Sequence, residues 1–131
     1  MTDRKTALSP AGIAPPFGAY NHGIAAPAGR VIVTSGQLGL AADGTCPPDV
    51  AGQAALCLAA IDAVLAEAGA GRGDVLRLNA YVTRREDFAP WMAARDGWLD
   101  AVEIKPASTL LIVSGFTRPE FLVEVEALAV I

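Results

Sequence analysis

Histidine, cysteine and clustered basic residues are all scarce in this chain, and each scarcity excludes a class of function. His22 is the only histidine, and the two cysteines, Cys46 and Cys57, stand at a spacing that matches no zinc or redox motif. No metal and no cofactor is therefore expected. Two cysteines make no disulfide scaffold and fit a reducing compartment. Ten Lys and Arg lie thinly among fourteen Asp and Glu, for a net charge of −4. Such a balance makes no phosphate-neutralising footprint, so no nucleic-acid partner is expected. The one dense basic spot, Arg84-Arg85, runs straight into Glu86-Asp87 and reads as a solvated turn. No run of about 18 uninterrupted apolar residues occurs, and no membrane partner is expected. Met1-Thr2-Asp3-Arg4-Lys5 has no apolar run behind its charges, so no signal peptide is read there and a cytoplasmic location is expected. A Gly-x-Ser-x-Gly elbow and a Gly-rich phosphate loop are also missing.

What is present is apolar. Hydrophobic residues make up 53% and charged residues 18% of the 131 positions. This is enough for one domain, residues 1–131, with a core that needs no staples. The excess of apolar surface fits subunit association, and equally fits a high alanine content.

The pattern along the chain predicts an α+β fold in the order ββαβαββ. Residues 1–16, with Pro10, Pro15 and Pro16, read as an irregular arm. Phe17–Ala25 reads as extended and Val31–Ser35 as a strand, with turn residues Pro27 to Arg30 suggesting a hairpin between them. Gly36–Pro48 reads as a loop. Asp49 can cap a helix over Val50–Ala68, whose Ala54, Leu58, Ile61 and Leu65 recur at helical spacing before Gly69 stops it. Val75–Thr83 alternates, which predicts a strand with Val75, Arg77, Asn79 and Tyr81 on one face. A second helix is expected over Asp87–Val102, with Phe88, Trp91 and Trp98 on its stripe. Strands are expected at Thr109–Val113 and Phe121–Val130. Two helices can cover one face of such a sheet, and apolar residues on both faces favour burial of the other face between subunits.

Chemistry-bearing residues are few. Any Ser-His-Asp triad would have to use His22, with Ser35, Ser108 or Ser114 all open as partners; a polar residue on a strand or at an interface is the simpler reading. Glu124 and Glu126 share a strand face. They read either as a wet sheet face or as carboxylates that orient an amine or activate water in a cleft.

Several segments together resemble the Rid/YjgF family of reactive-intermediate deaminases. Pro16-Phe17-Gly18-Ala19-Tyr20-Asn21-His22-Gly23 resembles its A-x-G-P-Y-S-Q-A segment, and Ser35-Gly36-Gln37-Leu38-Gly39-Leu40 resembles its S-G-Q-[IL]-x-[LM] motif. Gln53 fits the family's helix glutamine, and Leu65 to Gly69 with Asp74-Val75 its L-x-x-A-G…D-V step. Pro106-Ala107-Ser108-Thr109 takes the place of P-A-R-S, and Val123 to Ala129 resembles the terminal [IV]-E-[IV]-E-A-x-A strand. The resemblance implies a chorismate-mutase-like fold and a homotrimer with a barrel-like core. It also implies small-molecule clefts between subunits and hydrolysis of imines or enamines such as 2-aminoacrylate.

The same resemblance makes Tyr20 and Glu124 the catalytic candidates and sets Ser35 and Gly36 beside the ligand; Ser108, Thr109 and His22 join them as ligand-binding candidates on their own chemistry. Two positions depart from the family. Ser108 stands where an arginine holds the substrate carboxylate, and Met92 where many deaminating members carry an asparagine. A serine hydroxyl offers one neutral donor, worth about 1 kcal/mol against roughly 1.5–3 for a charged pair. A neutral or cationic ligand is therefore expected beside Ser108, Thr109 and Glu124, with Arg118 as the alternative cation. On that basis Ser108→Arg is expected to improve 2-aminoacrylate hydrolysis. Three functions follow: a divergent imine or enamine hydrolase, a non-catalytic metabolite-binding trimer, and a translation inhibitor or endoribonuclease, which the acidic charge disfavours.

Overall fold

Residues 5–131 are described in the computed structural model. Its centre is a mixed sheet with two helices on one face. The strands are β1 (Thr6–Leu8), β2 (Gly23–Ala25), β3 (Val31–Val33), β4 (Gln37–Leu38), β5 (Val75–Val82), β6 (Ala107–Ile112) and β7 (Val123–Val130). The helices are α1 (Val50–Glu67) and α2 (Phe88–Trp98). The large sheet runs β3-β7-β5-β6, with β4 also pairing β7; β5 and β6 are parallel and the other pairs antiparallel. Joining two parallel neighbours needs a crossover, and α2 supplies it.

The N-terminal expectations need correcting. The predicted arm is not irregular throughout, because Thr6–Leu8 forms a strand that pairs with Gly23–Ala25. Its first four residues lie outside the described residues. The predicted hairpin across Pro27–Arg30 does not form either: β3 pairs with β7, in the register Val31↔Val130 and Val33↔Leu128. β7 wins because it is long and buries every second residue, giving Ile32 and Thr34 a covered partner. Backbone hydrogen bonds between Arg30 and Ile131 in both directions extend that pairing past the strand ends. The Thr34 hydroxyl also accepts from the Ala127 amide at 3.0 Å. The predicted loop after Gly36 contains the short strand β4.

α1 starts where Asp49 accepts from the Gly52 amide at 3.1 Å. It ends at Glu67 with Ala68 as its cap, and Gly69 beyond it, at a φ of +77°, allows the Ala70 amide to reach back to the Leu65 carbonyl. By length and composition α1 is apolar enough to cross a membrane. It is nevertheless a core helix, burying Ala54, Cys57, Leu58, Ile61 and Leu65 against the sheet and α2. Burial pushes the Cys57 thiol up to about 12, with the nearby Glu124 carboxylate adding to it, so this cysteine is inert. Buried Gln53 on α1 spans two loops. Its amide donates to the carbonyls of Pro47 and Glu120 at 2.8 and 2.9 Å and accepts from the Leu122 amide at 2.8 Å.

β5 departs from strict alternation. The register shifts between Val75↔Ala129 and Arg77↔Leu128, a bulge that turns Val75 to the buried side with Leu78, Ala80 and Val82. The final strand buries Val123, Val125, Ala127 and Ala129 as the alternation predicts. On the other face of the sheet, exposed Val31, Val33 and Leu111 stand around Arg77, Asn79, Tyr81, Glu124 and Glu126.

Candidate functional site

Strand register divides the candidate residues between two faces. Directly paired residues on neighbouring strands point the same way. Ser108 pairs with the buried Leu78, so it points to the helix side, whereas Thr109 pairs with Asn79 and Glu124 with Tyr81 on the open side. The expected grouping of Ser108, Thr109 and Glu124 around one ligand therefore does not occur within a chain.

On the helix side, a cavity of about 270 Å³ is lined by Phe17, Tyr20, Phe88, Met92, Arg95, Ser108 and Leu110. Phe88, Met92 and Arg95 fall at i, i+4 and i+7 on one face of α2. Tyr20 is brought over β6 because Asn21 clamps the strand's approach: its amide donates to the Pro106 carbonyl at 3.0 Å and its side chain to Lys105 at 2.7 Å. Lys105 in turn donates to the carbonyls of Leu99 and Val102 at 2.6 Å, which holds the end of the α2 region. Phe17 packs edge-on against Tyr20 at 5.9 Å and is itself 88% exposed at the cavity lip. His22 does not line the cavity. Its ring stands edge-on to Tyr20 at 6.4 Å, and its Nε2 donates to the Ala14 carbonyl at 2.6 Å, tying down the segment before Tyr20.

Arg95 is the residue that sequence reasoning missed. Its side chain is only 4% exposed; Nε donates to Asp96 at 3.0 Å and Nη1 lies 3.4 Å from the Ser108 hydroxyl. The guanidinium sits 5.8 Å from the centre of the Tyr20 ring. Gly18 permits this approach, since a Cβ there would stand 2.7 Å from Nη2. The signal in the sequence is an arginine four residues after Trp91 and three before Trp98, inside the apolar stripe of a helix. The proposed alternative, Arg118, lies elsewhere. It is exposed, paired with Glu120 at 3.6 Å, and stacked over Phe121 in a recess with Thr83 and Ser114.

On the open face, Glu124 and Glu126 line a second cleft with Tyr81, Val113, Gly115 and Phe116. The two carboxylates differ in their partners. Glu126 accepts from the Tyr81 hydroxyl at 2.9 Å and from Asn79 at 3.1 Å, while Glu124 makes no hydrogen bond among the described residues. Burial raises the Tyr81 hydroxyl pKa, and the hydrogen bond to Glu126 raises it further, so Tyr81 stays a donor. Gly36 lies against the Glu124 carboxylate so closely that a Cβ would collide with Oε2. Ser35 is exposed beside it, its carbonyl accepting from Gln37 at 3.1 Å. Thr109 is 3.4 Å from the Arg77 guanidinium on the same face. Among the described residues no cluster of His, Cys, Asp and Glu is arranged to hold a metal ion.

Comparison with known proteins agrees with this architecture. A family model described as Endoribonuclease L-PSP matches residues 12–131. The chain is 34% identical over 74 residues to TdcF of Escherichia coli, classed provisionally as a reactive intermediate deaminase; it spans about half the length of the curated relatives it matches, 56% in this case. Among solved structures, YyfB of Yersinia pestis, a Rid-family protein of unknown function, superposes with a TM-score of 0.89 at 28% identity, covering 98% of this chain and 99% of that one. E. coli TdcF with bound serine superposes at 0.73 with 26% identity, covering 96% and 98%. With the family model matching residues 12–131, and a fold that follows these neighbours over nearly their whole length, the chain belongs to the Rid/YjgF family.

Proposed function

We propose that the chain assembles as a homotrimer and hydrolyses small imines or enamines in clefts between subunits. One observation carries the reading: Tyr20 and Ser108 open from one face of the sheet, and Glu124 and Gly36 from the other. A site that uses both sets needs two chains. The exposed Val31, Val33 and Leu111 on the open face, and Phe17 at the cavity lip, are the apolar surface that such association would cover. The serine held by the related TdcF structure is a ligand of the size that such a cleft would take.

In this reading Glu124 accepts a proton from water as its oxygen bonds to the imine carbon and the C=N pair moves to nitrogen. Glu124 passes that proton to nitrogen, giving a carbinolamine; it then takes the proton of the new hydroxyl and relays it to the amine as the C–N bond breaks, so that ammonia leaves as the carbonyl forms. Tyr20 and the cavity walls hold the substrate in place. Met92 in the lining favours a second reading, a trimer that binds a small metabolite without turnover, because a thioether offers an amine or water almost no hydrogen bond. A nuclease has little support in a chain of net charge −4.

The test is ammonia release from freshly generated 2-aminoacrylate and a panel of related imines, run beside light scattering. The expected mass is three times the 13.5 kDa chain. A monomer would sink the two-chain site, and a trimer that releases no ammonia would favour the binding reading. Gly36→Ala is expected to cut turnover about tenfold or more by displacing the Glu124 carboxylate, with the trimer intact. Unchanged turnover would separate Glu124 from the chemistry.

A further inference from the structure

We propose that Arg95 holds the anionic group of the ligand, and that this ligand is a small carboxylate with an apolar body. The inference rests on the reading of the Tyr20–Ser108 cavity as a ligand cleft. It reverses the expectation, drawn from Ser108, of a neutral or cationic ligand.

Among the described residues, Arg95 is the one charged residue of the seven that line the cavity. A buried guanidinium is costly unless its donors are engaged, and these are engaged only in part. The Asp96 partner meets Nε alone and is 46% exposed, so solvent screens that pair. The Nη1 contact to Ser108, at 3.4 Å, is longer than an ordinary hydrogen bond. Nη2 makes no hydrogen bond among the described residues. A carboxylate can take both terminal nitrogens in a forked, charge-assisted pair. Among the described residues no acidic side chain lines the cavity to bind an ammonium in its place. Phe17, Phe88, Met92 and Leu110 make up the rest of the wall with Tyr20 and Ser108, which suits an apolar ligand body. Ser108 has a physical role here: its hydroxyl stands 3.4 Å from Nη1, so the short side chain leaves the arginine from α2 its place at the cavity wall.

The test is calorimetric titration of the full-length protein with 4-methyl-2-oxopentanoate and with its neutral amide. The acid is expected to bind about tenfold tighter or more. Arg95→Gln is expected to bring the two within about twofold, chiefly by weakening the acid, and Arg95→Lys to keep part of the preference. Ser108→Arg alone would crowd two guanidinium groups and is expected to weaken acid binding, contrary to the gain anticipated from sequence. The exchange Arg95→Ser with Ser108→Arg returns a single cation and is expected to recover the preference. Equal binding of acid and amide by the unaltered protein would overturn the proposal, as would no binding of either at millimolar concentration. That comparison needs no variant to fold. A preference that survives Arg95→Gln would also overturn it. An acid preference without ammonia release from any imine would remove the deaminase reading and leave Arg95 standing. Imine turnover without an acid preference would do the reverse.

Discussion

Glu124→Gln is expected to lower kcat/KM for imine hydrolysis by about 10²-fold or more, the usual size of a lost general base. The amide has the shape of the carboxylate and fits the same space over Gly36. It cannot take a proton from water. The substitution disturbs little else, because Glu124 makes no hydrogen bond among the described residues, whereas Glu126 is engaged by Tyr81 and Asn79. Unfolding midpoint and oligomer mass should therefore stay near those of the unaltered protein. Steady-state ammonia release with a folded variant of unchanged oligomer mass is the measurement. A loss smaller than about threefold would place water activation on another group and end the role assigned to Glu124.

Gln53→Ala should produce a large stability loss, of the size expected for truncating a buried aliphatic residue on α1. The side chain is fully buried and makes three hydrogen bonds, to the Pro47 and Glu120 carbonyls and from the Leu122 amide. Removing it orphans three backbone groups at once, each worth about 1–3 kcal/mol when left unsatisfied, and leaves a void beneath Gly39, which packs on its Cβ. The expected loss is about 3 kcal/mol or more, a fall in Tm of about 10 °C. Urea unfolding would measure it. A loss below about 1 kcal/mol would mean that water takes over the three bonds. The tie matters for the site as well: Pro47 leads into α1 and Glu120 into β7, so Gln53 helps set where Glu124 stands.

Local periodicity was enough to read most of the elements. The 3.6-residue spacing of Ala54, Leu58, Ile61 and Leu65 marked α1, and the alternation of Val123, Val125, Ala127 and Ala129 marked both β7 and its buried face. These signals are legible because one element's own turn or pleat decides which side chains share a face. The family resemblance, carried by Ser35-Gly36-Gln37 and Val123-Glu124-Val125-Glu126, also lies in contiguous residues. Choices between distant partners were not legible. Nothing near Val31 says that it pairs with Val130 rather than across the Pro27 turn, since that outcome depends on the covered partner β7 offers from the far end of the chain. The bulge that turns Val75 inward is set by its pairing with Ala129.

Arg95 shows the same division most sharply. In the sequence it is a charge interrupting the stripe of α2, and Ser108 is a missing charge in a motif. Only the crossover from β5 through α2 to β6 brings the two within 3.4 Å and puts the cation back into the cavity by another route. The sequence by itself determined most of the elements, the buried faces of α1 and β7, and the family. The tertiary structure decided strand order, the separation of Tyr20 from Glu124 on opposite faces, and the source of the positive charge. Those are matters of long-range packing, which the periodicity of a single segment does not carry.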